Sequence, residues 1–154
     1  MSSLNGWHPG ERTVHHKLGH DSDWSIMSQF QHIDCDLPTD HAKFHSAQLP
    51  FLPVATLDDT GRPWGSILAG KDGEPGFIKN SRYSVLSLEV KMWPGEPLLD
   101  TAMTFWNGDK EMLVAGIGIE FPTRRRNKFA GKVTRLETRN ETLSMDFTVN
   151  EAIG

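Results

Sequence analysis

Two stretches hold residues whose types and spacing could do chemistry. The first, Arg62-Pro-Trp-Gly-Ser-Ile-Leu-Ala-Gly-Lys71, sets the small residues Gly65, Ser66, Ala69 and Gly70 beside Trp64, Ile67 and Leu68. A strand of this kind lets a planar ligand approach its backbone. Ser66 offers a hydroxyl and Lys71 a cation to a phosphate. On spacing alone, an ordinary hairpin with a solvated Lys71 is the commoner reading. The second stretch, Thr123 to Lys128, puts four cations in five residues of an acidic protein. Like charges in a row repel, so a bound anion relieves a cost, and arginine's fork suits bidentate contact with phosphate. In a strand, Arg124 and Arg126 face one way and Arg125 the other. Two other readings stay open. One is a solvated edge strand guarded by charge. The other is a nucleic-acid or protein patch, for which aromatic interleaving is scant.

Histidine supplies a third pattern. His16 and His20 are four apart, as are His41 and His45, and such pairs share a helix face that could ligate a metal. Asp34, Cys35 and Asp36 lie nearby in sequence. No HExxH or Cys-x-x-Cys pattern completes a site, so these histidines read as structural or surface groups and no metal is assigned. Trp7 and Trp93 read as packing anchors. Cys35 is the single cysteine and has no identifiable activating partner, which makes it a structural thiol.

The chain that must position these groups has 154 residues, enough for one domain with one core. A formal net charge of −4 argues against a general nucleic-acid binder, which needs a basic face. One cysteine allows no internal disulfide and fits a reducing compartment. No apolar run reaches the roughly 18 residues of a spanning helix, and the start of the chain lacks the apolar region of a secretory signal. The expected setting is the cytoplasm, with no membrane partner.

Residues 1–50 read as an N-terminal helical and irregular extension. One helix is expected from Glu11 to Leu18, ended by Gly19, and another from Asp40 to Gln48, capped by Thr39 or Asp40. From Phe51 the pattern is β. FLPVATL, the turn Asp58-Asp59-Thr60-Gly61 and the run from Arg62 form a hairpin, with Pro63 at a strand start. Further strands are expected at GFIK, from Val85 to Val90, Met112 to Glu120, Phe129 to Thr138, and Thr142 to Val149. A helix is expected from Pro97 to Trp106, stopped near Asn107-Gly108. Gly116 and Gly118 leave room on one face for a backbone or a ligand, and Asp146 faces out. The class is mainly β: residues 51–154 as a barrel of about six antiparallel strands, with a small open sandwich as the alternative.

GRPWGSILAG, a following PGF, a helix opened by EPL, and TRRRNKFAGKV together resemble the pyridoxamine 5′-phosphate oxidase-like proteins, over most of residues 7–150. The opening WHPGE is similar to members in which this domain accompanies flavin reductase modules. The resemblance implies an FMN-binding split barrel, a homodimer with FMN between subunits, and NAD(P)H or a reductase as electron donor. It places the oxidase's phosphate-binding Arg and Lys on Ser66 and Lys71, so the cation is kept only at Lys71. Ile67 and Leu68 would lie along the flavin beside Trp64, and the place of a flavin-contacting Gln falls on Arg126, next to Arg125. Ser81-Arg82-Tyr83 is a partial match to a Ser-Arg-Lys phosphate clamp. No match to the oxidase's substrate-phosphate region is seen, and related sequences continue past EAIG with a short Cys-Pro-containing segment. The implied activity is a flavin-dependent oxidoreductase of unassigned substrate. A non-catalytic domain that holds flavin or heme, or one that mediates assembly, is the alternative.

Overall fold

The computed structural model describes residues 9–25, 33–70, 72–106, 108 and 111–154. Trp7, Lys71 and Asn107 lie outside the described residues.

Helix α1 spans Pro9–Leu18 and buries no residue. It ends as the Gly19 signal predicts: Gly19 takes φ +69°, its N–H bonds to the His16 carbonyl, and the His20 N–H bonds to that of His15. Helix α2 spans Thr39–Gln48. Neither Thr39 nor Asp40 caps it. Pro38 holds the cap position with φ −56° and no side-chain cap, and its carbonyl accepts from the Ala42 N–H at 2.9 Å. A ring-fixed φ sets the entry angle that a capping side chain would otherwise secure.

Seven strands follow: β1 Phe51–Leu57, β2 Pro63–Ala69, β3 Ile78–Arg82, β4 Val85–Lys91, β5 Leu113–Glu120, β6 Arg125–Arg139 and β7 Thr142–Ile153, with helix α3, Pro97–Trp106, between β4 and β5. The count agrees with the expected runs, and the GFIK run continues through Arg82 as a paired strand. The strands form one antiparallel sheet in the order β2-β1-β5-β6-β7-β4-β3. Its two end strands approach each other where Gly70 meets Phe77; a Cβ on Gly70 would stand 2.8 Å from that of Phe77. The result is a split barrel. Among the described residues no helix is long and apolar enough to cross a membrane.

Alternation builds the interior. Leu86, Leu88 and Val90 point inward from β4, and Leu143, Met145, Phe147 and Val149 from β7. Leu52, Val54 and Leu68 join them from the hairpin, Leu98 and Ala102 from α3, and Phe44 and Leu49 from α2 and its end. Each fully buried side chain of this size contributes about 1.5–3 kcal/mol. Helix α2 packs against β3 and β5, so part of residues 1–50 closes the barrel's core.

Three expectations about local geometry change. Strand β6 begins at Arg125, four residues before Phe129, because Glu120 pairs with Arg125 and carries the ladder through the basic run. Arg124 stays out of the strand, in the preceding turn at φ +62°. Asp146 has the outward parity of its strand but is buried, covered by arginines from β3 and β6.

Candidate functional site

The outer face of the sheet carries a shallow apolar groove of about 500 Å³ over β1, β5, β6 and β7. Its floor follows from register. Gly65 of β2 lies opposite Ala55 of β1, Ala55 opposite Ala115 of β5, and Ala115 opposite Ala130 of β6. One row across four strands therefore carries nothing larger than a methyl group. In the neighbouring row Ile67 faces Pro53, and Ile117 faces Lys128, which faces Ile153. Ile33 completes an apolar wall. A flat floor of small residues beside branched aliphatic walls suits a planar ring.

Charge lies at the rim. Lys128 and Glu151 are the charged residues of the lining. Arg126, two residues before Lys128 and opposite Ile119, shares its face of β6 and is exposed. Arg126 and Lys128 thus set two cations beside the apolar floor, an arrangement suited to a ligand with a ring and a phosphate.

The residues singled out in the sequence divide between the two faces. Ile67 is on the groove side and 73% exposed. Leu68 and Ser66 point into the barrel; Leu68 is a core residue. The Ser66 hydroxyl donates to Glu96 Oε1 at 2.5 Å. It is therefore already engaged with a carboxylate, which would repel a phosphate. Trp64 donates its indole N–H to Asp58 Oδ2 at 3.1 Å, in the hairpin turn. The same carboxylate accepts from Thr60 and Arg62, and these hydrogen bonds hold Asp58 well below the usual carboxylate range. Trp64 thereby braces the turn.

Arg125 and Arg126 separate. Arg125 turns toward α2, its guanidinium 4.7 Å from the Phe44 ring centre and 3.5 Å from the Asp40 carbonyl. Ser66 does not meet the basic run within one chain. Three strand spacings, about 14 Å, separate β2 from β6, and Ser66 and Arg126 lie on opposite faces of the sheet. The Ser81-Arg82-Tyr83 match is likewise engaged elsewhere: Arg82 pairs with Asp146, and the Tyr83 hydroxyl donates to Asp36. The space beside Gly116 and Gly118 is on the inner face. The Phe129 ring fills the first and His45, Phe44 and Leu49 the second.

The alanine row was the feature sequence reasoning missed. Ala55, Ala115 and Ala130 are unremarkable one by one, and only pairing aligns them.

Solved structures of known proteins share this architecture. A candidate pyridoxamine 5′-phosphate oxidase from Lactobacillus delbrueckii superposes with a TM-score of 0.54 at 11% identity, covering 79% of this chain and 96% of its own. An F420 reductase gives 0.49 at 9% identity, with 75% and 97% covered. HutZ, the heme storage protein from Vibrio cholerae, gives 0.41 at 14%, with 75% and 89% covered. The likeness is one of fold: this chain has the split barrel of the pyridoxamine 5′-phosphate oxidase-like proteins. No protein-family model and no curated protein matches the sequence.

Proposed function

We propose that this chain is an FMN-binding split-barrel protein acting as a flavin-dependent oxidoreductase. The observation that carries the reading is the small-residue row Gly65–Ala55–Ala115–Ala130, flanked on the same face by Arg126 and Lys128. The row would seat the isoalloxazine, Ile67 and Ile117 would exclude water from its edges, and the two cations would hold the phosphate. Bound flavin supplies hydride chemistry at its ring. Glu151, opposite Ala130 at the end of the row, is the carboxyl of the lining, but the proposal assigns it no proton transfer, and this chain's own part is binding and orientation. Arg125, turned to α2, serves the fold on this reading.

Two copies would face each other across this outer surface and enclose the ring between them. Exposed Ile67, Leu57 and Leu113 supply apolar area for such a contact. NAD(P)H or a partner reductase would supply electrons, in the cytoplasm, where a single-cysteine chain needs no disulfide.

The test is direct. Purified protein is expected to be yellow, with an oxidised flavin band near about 450 nm, and to quench FMN fluorescence on titration. Reduction by NADH or NADPH separates an oxidoreductase from a carrier. Protein that is colourless and unchanged after soaking in FMN would sink the proposal.

A further inference from the structure

We propose that His41, His45 and Asn127 form a site for one divalent first-row transition-metal ion, of the zinc class, where α2 crosses the open end of the sheet. The proposal is independent of the flavin reading, because this site lies on the inner face of the sheet and the groove on the outer.

The geometry starts from three strand positions side by side. Gly118 of β5 lies opposite Asn127 of β6, and Gly154 follows Ile153 of β7, which lies opposite Lys128. Helix α2 passes over this row with His45 above Gly118 and His41 above Gly154. A Cβ on Gly118 would stand 2.8 Å from His45 Cε1, and one on Gly154 would stand 2.2 Å from His41 Nε2 and 3.0 Å from Asn127 Oδ1. Two glycines thus make the room that two imidazoles occupy, and Asn127 Oδ1 stands beside the His41 ring at the Gly154 position. The i, i+4 spacing turns both rings to one helix face, the spacing by which helical histidine pairs share a metal.

The second observation is the state of the donors. His45 is 0% exposed and Asn127 is 2% exposed. Both ring nitrogens of His45, Nδ1 of His41 and Nδ2 of Asn127 are buried without a hydrogen-bond partner among the described residues. Buried polar atoms are nearly always paired, and each unpaired one costs about 1–3 kcal/mol. Their neighbours cannot pair them: Phe44 and Phe129 present ring edges to His45 at 5.7 and 5.4 Å between centroids.

The choice of a metal follows from ligand type. Imidazole nitrogen suits zinc, copper, nickel and cobalt. Among the described residues no three His, Cys, Asp or Glu side chains stand together as a metal group, so the third ligand proposed is the Asn127 oxygen: turning the amide over puts Oδ1 where the unpaired Nδ2 now lies and gives the ion an electron-pair donor. Around the site, Asp34 and Asp40 lie close enough to His41 for their charge to favour a cation. Arg125 opposes it, with its guanidinium held outside Phe44. This balance predicts a site of modest affinity.

Cobalt(II) titrated into the chelator-treated full chain is the experiment, with visible absorption and thermal melting as readouts. The expected result is about one equivalent bound with the bands of low-coordinate Co(II), displacement by Zn(II), and a higher melting temperature. His41→Gln, at a half-buried position, is expected to weaken binding at least about tenfold, and Asn127→Asp to tighten it about tenfold by adding a charged ligand. His16→Gln/His20→Gln, on exposed α1, is expected to leave it unchanged. Absence of a Co(II) band, binding undiminished in His41→Gln, or binding lost in the α1 variant would each overturn the assignment.

Discussion

Ser66 and Glu96, thirty residues apart, meet with Oγ donating to Oε1 at 2.5 Å, and so fasten β2 to the segment that opens α3. The pair makes the inner side of β2 a poor place for a phosphate. Glu96→Gln removes the charge and keeps the shape. It is expected to change FMN affinity less than about twofold, since the proposed phosphate cations lie across the sheet, beyond a screening length of about 8–10 Å. Loss of the charged acceptor should cost about 1 kcal/mol, read as a melting point lower by about 2–4 °C. A tenfold gain in FMN affinity would put the phosphate at Ser66 instead.

Arg125 and Arg126 are adjacent in sequence but serve opposite faces. Arg126→Ala and Lys128→Ala are each expected to weaken FMN about tenfold, roughly 1.4 kcal/mol, while riboflavin, which lacks the phosphate, binds as before. Arg125→Ala is expected to leave FMN binding intact and to lower thermal stability by loosening the Phe44 and Asp40 contacts of α2. Isothermal titration of the three variants with both ligands decides the matter. Equal losses for FMN and riboflavin would show that the cations act on the protein rather than on the phosphate.

These assignments show what the sequence could and could not disclose. Period-2 alternation in β4 and β7, the Asp-Gly turn after Leu57 and the stretch from Pro97 to Trp106 were legible because each is a local pattern. The placing of His45 over Gly118 and His41 over Gly154 was not, since it depends on how α2 packs across the sheet. The same holds for Asp146. Its parity marks it as outward, and only the arrival of Arg82 and Arg135 from other strands buries it. Motif resemblance located the right strands, while the face that each residue occupies came from pairing.

Asp146 is tied to Arg82 and, through Oδ2 and Oδ1, to Arg135 at 3.1 and 3.3 Å. Burial alone would raise its carboxyl; the Arg135 and Ser87 hydrogen bonds and the two guanidinium charges outweigh this and hold it below its usual range. A carboxyl lowered on folding adds stability that is complete above its unfolded value, about pH 4, and is lost as pH falls below it. Wild type should therefore lose stability in this acid window, and Asp146→Asn should lose less there. At neutral pH the variant should be about 1–3 kcal/mol less stable, since the arginines it releases are already half-exposed. Denaturant melts at pH 7 and pH 3 measure both. An identical acid slope in wild type and variant would remove Asp146 from the account.

Ala115 lies mid-row on the groove floor, exposed and flanked by Ala55 and Ala130. Ala115→Arg puts a long cation where both the ring and a second copy are proposed to lie. At an exposed strand position the fold should tolerate it within about 0.5 kcal/mol, so circular dichroism and melting should stay near wild type. Size-exclusion chromatography with light scattering should show a monomer, and FMN affinity should fall by more than about tenfold. Separate outcomes would carry separate meanings. A monomer that still binds FMN would confine the site to one chain, whereas a dimer that has lost FMN would keep the groove and move the interface to another surface. A variant that dimerises and binds like wild type would remove the outer face from both roles.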